Sequence, residues 1–596
     1  MANVKISGLP AASTPLTGTE LVPIVQSGVT SQTTVGDFGA AVYFTPSGTG
    51  AVETTVQAKL RETVSVKDFG ADSTGATDSS TAINLAVDYL DGIGGGTLFF
   101  PAGTYKLQAA SIKLRSNIKY IGAGIGNTII SLSTDGTYYP SGFTNYPAST
   151  ISNHVIISDL TINGNYNTVI DNGNDNYQHG IYANFCSDSI FERIEFKNIW
   201  YVGVEIYNNN NRITVNECIF SNVGDKHTIV APTAWYYCIG VDFSNNTVAI
   251  TNNKITNCGG AINMFADGGE CNNITIIGNQ FKNISGVCIY GRNGVKNLVV
   301  SNNVLDTAGS SFFNIYDDTG IPHNGGYTYN ITVSDNIART INTNGTSGVF
   351  AIAVSALSGV VITNNTITNV NNLTGSTGGI LANTISGQTT SGALISGNSL
   401  EGKFNSYSAI RINSSVIDSL VSGNYINGDT VATGIAVISG ALRTKVVGNQ
   451  YKDCATNVSN AESTAVIEDG VITYTPTWTS SSSPQPAIGN GSITGRYTRN
   501  GNTVTVNVMF NVGSTTTFGT NVWFFSLPIT PLAGRYFIGS AYILGTSNEY
   551  SLIARIDDTV GIKLYTCAVP AAAVGSATPA VLASGNKVAM TITYEV

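Results

Sequence analysis

The chain has 596 residues, too many for one ordinary core, and 65 Gly with only 11% charged residues point to β-structure rich in tight turns rather than a helical bundle. A formal net charge of -9 with no basic run leaves nothing to neutralise a phosphate backbone, which argues against a nucleic-acid partner. No run of about 18 apolar residues occurs, and the start MANVKISGLPAASTP lacks a basic stretch followed by an apolar one, so neither membrane insertion nor signal-directed export is expected.

Residues 1–55 read as a small β-rich N-terminal module closed by the linker FTPSGTGAVETT. Residues 56–108 hold the one convincing helix: Ser79 and Ser80 can cap it, and Ile83, Ala86, Val87 and Leu90 form a stripe at helical spacing. Such a helix can cover the first coil of a solenoid, whose sheet edge is otherwise unpaired.

From 109 to 470 a phrase returns: ITIIGNQFKNI at 274–284, LVVSNNVLDTA at 298–308, VVITNNTITNV at 360–370. Its anchors fall at Ile194, Cys218, Asn253, Asn279, Asn303, Asn336, Asn365, Asn398, Asn424 and Asn449, at intervals of 24 to 35 residues. A unit of that length with short β-runs cannot bury its apolar face alone, so neighbours stack. The expectation is an all-β protein whose body is a right-handed parallel β-helix, one coil per repeat, with Asn side chains hydrogen-bonded in a ladder at the bends. Eight Cys occur singly, without CxxC pairs or His at zinc-ligand spacing, and read as small buried side chains; no metal site and no cofactor are expected.

A second phrase precedes each anchor, as in GVEI at 203, GVDF at 240 and AINM at 261. Its apolar residues point inward, so the residues between them form an outward column: Tyr182, Glu205, Asp242, Asn263, Tyr290, Asn314, Ala351, Leu381, Arg411 and Ala436. Two positions on, Asn184, Tyr207, Ser244, Phe265, Arg292 and Tyr316 form another. After Thr477 the phrase stops and strict alternation takes over, in TVTVNVMFNV and KVAMTITYEV, so 471–596 reads as a C-terminal antiparallel β-sandwich for trimer formation or carbohydrate binding, the latter through Trp478 and Trp523.

VSVKDFGAD, ATDSSTAI and GGGTLFFPAGTYKL resemble the opening of the pectate-lyase-like β-helix of bacteriophage tailspikes and capsule depolymerases. ISGLPAAS, LTGTELVPIVQSGVT and TVGDF in the first 40 residues are similar to virion-attachment modules, and YTPTWTSSSSPQPAIGNGSITGRYTRNGNTVTV resembles a sandwich that ends many phage fibres and spikes. The resemblance implies a homotrimer on the virion tail, joined to the tail, baseplate or another tail protein through its N-terminus. It also implies an extracellular action at the host surface: recognition and cleavage of a capsular polysaccharide or O-antigen.

Glycoside hydrolysis needs a carboxylic acid for the leaving oxygen and a carboxylate as base or nucleophile. Glu205 and Asp242, read as equivalent slots on neighbouring coils, are expected about 5 Å apart at their β-carbons. Asp267, Glu270, Asp317 and Asp318, on loops after these strands, form a second carboxylate set. Tyr182, Tyr207, Trp235, Tyr236, Asn263, Tyr290, Arg292, Asn314 and Tyr316 are the expected substrate-binding residues, their rings offering faces for sugars. The inserts 225–238 and 317–328 can wall a groove. Two alternatives stand beside hydrolysis: a polysaccharide lyase using Arg292, Lys226 and His227 with Tyr290 as acid, and a spike that binds without cutting.

Overall fold

The computed structural model describes residues 19–40, 42–133, 140–145, 151–165, 178–224, 237–267, 269–317, 326–370, 377–385, 387–404, 407–429, 432–545, 548–557, 561–568, 570–579 and 581–596. The chain divides into two compact units, Met1–Gly224 and Asp225–Val596.

The first unit opens on an antiparallel hairpin, Leu21–Gln26 with Val29–Thr34, followed by a short helix, Val35–Ala40. The expected helix spans Ser80–Gly92 and buries Ile83, Ala86, Val87 and Leu90. Its start differs from expectation, because the Ser79 side chain makes no cap bond and instead bonds the Asp72 carbonyl. Asp78 takes over: its carboxylate accepts the Ser80 N–H at 3.0 Å and the Ser80 hydroxyl at 2.8 Å, together with the N–H groups of Gln108 and Ala109. A carboxylate at a helix N-terminus satisfies orphan donors and sits at the positive end of the dipole.

Beside the helix, parallel strands stack coil on coil. Gly96–Phe100 pairs with Ile118–Gly122, which pairs with Ile156–Asn163, which pairs with the long strand Cys186–Ile199. A separate parallel ladder runs through Ile112–Lys113, Phe143–Thr144, His179–Asn184 and Val202–Tyr207.

The second unit continues with three strands per coil. One coil is Gly260–Phe265, Cys271–Ile277 and Gln280–Ile284, and the next is Ile289–Arg292, Val295–Ser301 and Val304–Leu305, each strand pairing in parallel with its counterpart. The recurring phrase therefore covers two strands and the bend between them. Ile274 and Ile276 precede that bend, Phe281 follows it, and all three are buried in the coil.

At the bend the Asn ladder is realised. The Oδ1 of Asn279 accepts from the backbone N–H and the Nδ2 of Asn253, at 2.9 and 3.0 Å, and the same pair of bonds repeats from Asn279 to Asn303 and on to Asn449. Each Nδ2 also donates to a carbonyl on the previous coil, as Asn279 does to Ile250 at 2.9 Å. Asp469 ends the ladder, its carboxylate accepting from both nitrogens of Asn449 and from the Tyr451 hydroxyl. In the first unit Cys218 holds the same position, its Sγ 3.6 Å from the Phe191 carbonyl.

The C-terminal part is antiparallel, as expected. Seven strands lie in the order Ile472–Tyr474, Ser492–Asn500, Thr503–Asn511, Lys587–Glu595, Phe537–Leu544, Glu549–Ile556 and Lys563–Thr566, with Trp478–Ser482 and Thr520–Phe525 paired in a second sheet. Val504, Val506, Val508 and Phe510 alternate inward and meet Val588, Met590, Ile592 and Tyr594 in one core. Trp478 and Trp523 belong to that core, edge to face at 5.3 Å, and the Trp523 indole N–H is tied to the Phe518 carbonyl. The expectation that these rings could hold carbohydrate is thereby corrected: they are the sandwich filling.

Candidate functional site

In the second unit the Gly260–Phe265 strand is buried at every residue, on its outward as well as its inward side. What covers the outward side is aromatic. Tyr237, Phe265 and Tyr290 form a cluster of their own outside the coil, with Tyr316 packed against it. Tyr237 stacks with Tyr290 at 6.2 Å, and Phe265 meets Tyr290 edge-on at 5.5 Å. The Tyr237 ring lies so close over Gly260 that a β-carbon there would come within 2.3 Å of it, which is why the strand opens with glycine. The Tyr290 hydroxyl donates to the Tyr316 hydroxyl at 2.7 Å. Burial, reinforced by that bond, pushes the Tyr290 phenol well above its usual range.

Two registers correct the outward columns. Asn263 stands beside Tyr290, Asn314 and then Ala353, followed by Leu381, Arg411 and Ala436, so Ala351 is displaced by two residues. Asp242 is displaced likewise: Gly240 pairs with Asn263, and Asp242 pairs with Phe265 in the column that continues to Arg292 and Tyr316. Asp242 therefore does not occupy the slot beside Asn263 that the phrase alignment gave it.

Around this second column the charged groups interlock. One Asp242 oxygen accepts from the Asn263 amide at 3.4 Å and the Phe265 N–H at 3.3 Å. Arg292 lies over the Phe265 ring, 4.6 Å from its centroid, and pairs with Asp267, which also accepts from Asn293. Burial pulls the Arg292 guanidinium down, but the Asp267 pair outweighs it and holds it above its ordinary value. The Cys271 thiol is pushed up, first by burial and then by the charges of Asp242 and Asp267, so both carboxylates lie near it. Lys296 pairs with Glu270 at 2.5 Å and lies over Tyr329.

Asp317 has a different task. It is buried, and its oxygens accept from the Thr328 hydroxyl at 2.6 Å, the Thr328 N–H at 2.9 Å and the Gly294 N–H at 3.2 Å. It fastens a loop. Sequence reasoning missed Tyr237, Asn293 and Lys296; the only signal for Tyr237 was its place at the end of an aromatic run.

In the first unit Glu205 stands beside Tyr182 and is only 5% exposed. Tyr207 stands beside Asn184, and the Tyr182 and Tyr207 rings meet at 5.4 Å, with His179 4.8 Å from Tyr182. Trp235, Tyr236, Lys226, His227 and Asp318 lie outside the described residues.

Stacked parallel coils, the buried ladder and a helix at the first coil define the architecture. The body is a parallel β-helix. Residues 63–290 match the family model described as rhamnogalacturonase A/epimerase, pectate lyase-like. The chain is 30% identical over 201 residues to mannuronan C5-epimerase AlgE6 of Azotobacter vinelandii, covering 32% of this chain and 22% of that protein. It is 29% identical over 189 residues to alginate lyase 7 of the same organism, covering 30% and 22%. The chain spans from 10% to 34% of the length of the curated relatives it matches. Among solved structures, the Dettilon tailspike protein gp208 is similar in fold over 91% of this chain and 96% of its own, with a TM-score of 0.54 and 13% identity.

Proposed function

We propose that the chain is a phage tailspike that binds and depolymerises a bacterial surface polysaccharide, capsule or O-antigen, by glycosidic hydrolysis. The observation that carries this reading is the outward aromatic and carboxylate cluster of Tyr237, Asp242, Phe265, Asp267, Tyr290, Arg292 and Tyr316 on one face of a β-helix. Tyr rings at the edge of such a cluster stack on sugar rings, and carboxylates fixed by amide and guanidinium partners can act on a glycosidic bond. Asp242, with one oxygen held by Asn263 and Phe265, is the proposed base or nucleophile; Asp267 is the second carboxylate of this face. Glu205 is a separate candidate acid in the first unit, beside Tyr182 and only 5% exposed. Assembly as a homotrimer, attachment to the virion through the N-terminal module and action outside the host cell belong to the same proposal. The tailspike of the same fold over nearly the whole chain supports it.

β-Elimination or epimerisation is the second reading, favoured by the activities that the two sequence relatives are named for and by the Tyr290 to Tyr316 hydroxyl pair beside Arg292. Incubating the purified protein with a panel of capsular and O-antigen polysaccharides separates the cases. Hydrated fragments without new near-ultraviolet absorbance are expected; unsaturated ends would replace hydrolysis by elimination, and binding without fragments would leave a receptor-binding spike. Sedimentation of the intact chain at about three times its monomer mass checks the trimer.

A further inference from the structure

We infer that the stretch of glycan seated on this face is uncharged and rich in hydroxyls, and that the face turns polyuronate away. The inference deepens the reading above and rests on it. Both described cations at the cluster are taken up by carboxylates: Arg292 by Asp267, and Lys296 by Glu270. Asp242 and Asp317 add two further carboxylates, so two cations face four acids and the formal balance is 2 − 4 = −2. The whole chain carries -9, so its long-range field also opposes a polyanion.

The recognition chemistry agrees with that charge. Ionised carboxylates only accept hydrogen bonds, and sugar hydroxyls are donors that match them, whereas a uronate carboxylate is another acceptor and carries like charge. Tyr316, partly exposed at the edge of the buried Tyr237, Phe265 and Tyr290 cluster, offers apolar ring surface to the C–H face of a sugar ring, which needs no charge. Relatives whose names specify mannuronan and alginate act on polyuronates, so this face departs from them in charge while sharing the β-helix.

The test uses the full chain in affinity electrophoresis against polymannuronate and against the surface-polysaccharide panel, each acidic polymer in native and carboxyl-reduced form, at low and physiological salt. Polymannuronate is expected not to retard the protein at either salt, and any panel polymer that binds is expected to hold its affinity within about threefold after carboxyl reduction. Salt-sensitive retardation by polymannuronate, or a loss of about tenfold or more on reduction, overturns the inference. The double variant Asp267→Asn, Glu270→Gln removes the carboxylate partner of each cation and is expected to gain retardation by polymannuronate at low salt, with a single cooperative thermal unfolding transition as the folding control. A folded double variant that gains none overturns the charge argument. A panel in which nothing binds, alongside a double variant that does gain retardation, overturns the polysaccharide reading and leaves the charge assignment standing.

Discussion

Asparagine plays three parts around each coil, and neighbouring letters of one phrase differ in kind. Asn252 takes a left-handed backbone conformation at φ 57°, Asn253 is buried in the ladder, and Asn257 takes φ 55° at the next bend, where its side chain accepts from Asn283. Asn tolerates the left-handed region better than other non-glycine residues, and Gly397 at φ 66° fills the place of Asn252 on another coil. The repeated NN was legible as a turn with a ladder; the division of labour within it was not, because one residue type serves both needs.

Asp242 is the residue on which the chemical proposal stands. Asp242→Asn keeps the shape and the bonds to Asn263 and Phe265 while removing the charge, and turnover is expected to fall by about 10²-fold or more with polymer binding nearly unchanged. Initial rates and affinity electrophoresis on the same preparation check this; equal loss of both would make Asp242 a structural residue.

Asp78 gives a pH-dependent contribution to stability. Burial raises its pKa, but hydrogen bonds from the Ser80 side chain and backbone and from Gln108 and Ala109 outweigh that, and the net shift is downward from 3.8. A folded-state pKa below the unfolded one means the stabilisation is complete above the unfolded value and is lost as pH falls through the folded value. Asp78→Ala is therefore expected to cost about 1 kcal/mol at neutral pH, with the difference from the parent vanishing in strong acid. Thermal unfolding of both proteins from pH 7 down to pH 2 measures it.

At the scale of the element, the ladder is a column of buried amides in which each member serves the coils on both sides. Removing Asn365 would strand the N–H and Nδ2 of Asn336, which donate to its Oδ1, and the Val333 carbonyl, which accepts from its Nδ2 at 2.9 Å. Asn365→Ala is expected to destabilise by about 2 to 4 kcal/mol, since buried groups left without partners lose their full desolvation energy. Asn257→Gly, at an exposed left-handed position, is expected to stay within about 0.5 kcal/mol. Denaturant-induced unfolding rates of the two variants compare them directly.

The strand columns show how far a pattern can be read. Inward and outward residues were assigned correctly because a strand alternates with period two, and Ile239 and Val241 do point inward. A shift by two residues preserves that alternation, so nothing in the sequence separates Gly240 from Asp242, or Ala351 from Ala353, as the occupant of a given slot. Only the pairing with Asn263 and Asn314 decides it.

For the whole molecule, the eight cysteines give an independent check. All are free; six are buried, Cys454 is half-buried and Cys567 is exposed. Burial pushes the Cys186 and Cys218 thiols up to about 12, which removes the reactive thiolate at neutral pH. Titration of the native chain is expected to modify Cys567 rapidly and Cys454 slowly, and all eight only after unfolding. Rapid reaction of more than two thiols would contradict the burial of the coil interior.

The sequence by itself determined the architecture. Apolar alternation, Asn at fixed places and repeats of 24 to 35 residues admit few ways of burying the same residues other than stacked coils, and the strict alternation after Thr477 admits only one-faced antiparallel strands. Tertiary structure alone decided the site. Whether Asp267 is held by Arg292, whether Asp317 binds Thr328, and whether Trp523 faces a sugar or a core all depend on contacts made between coils or strands, and sequence spacing constrains direction along one strand but not which neighbour arrives beside it.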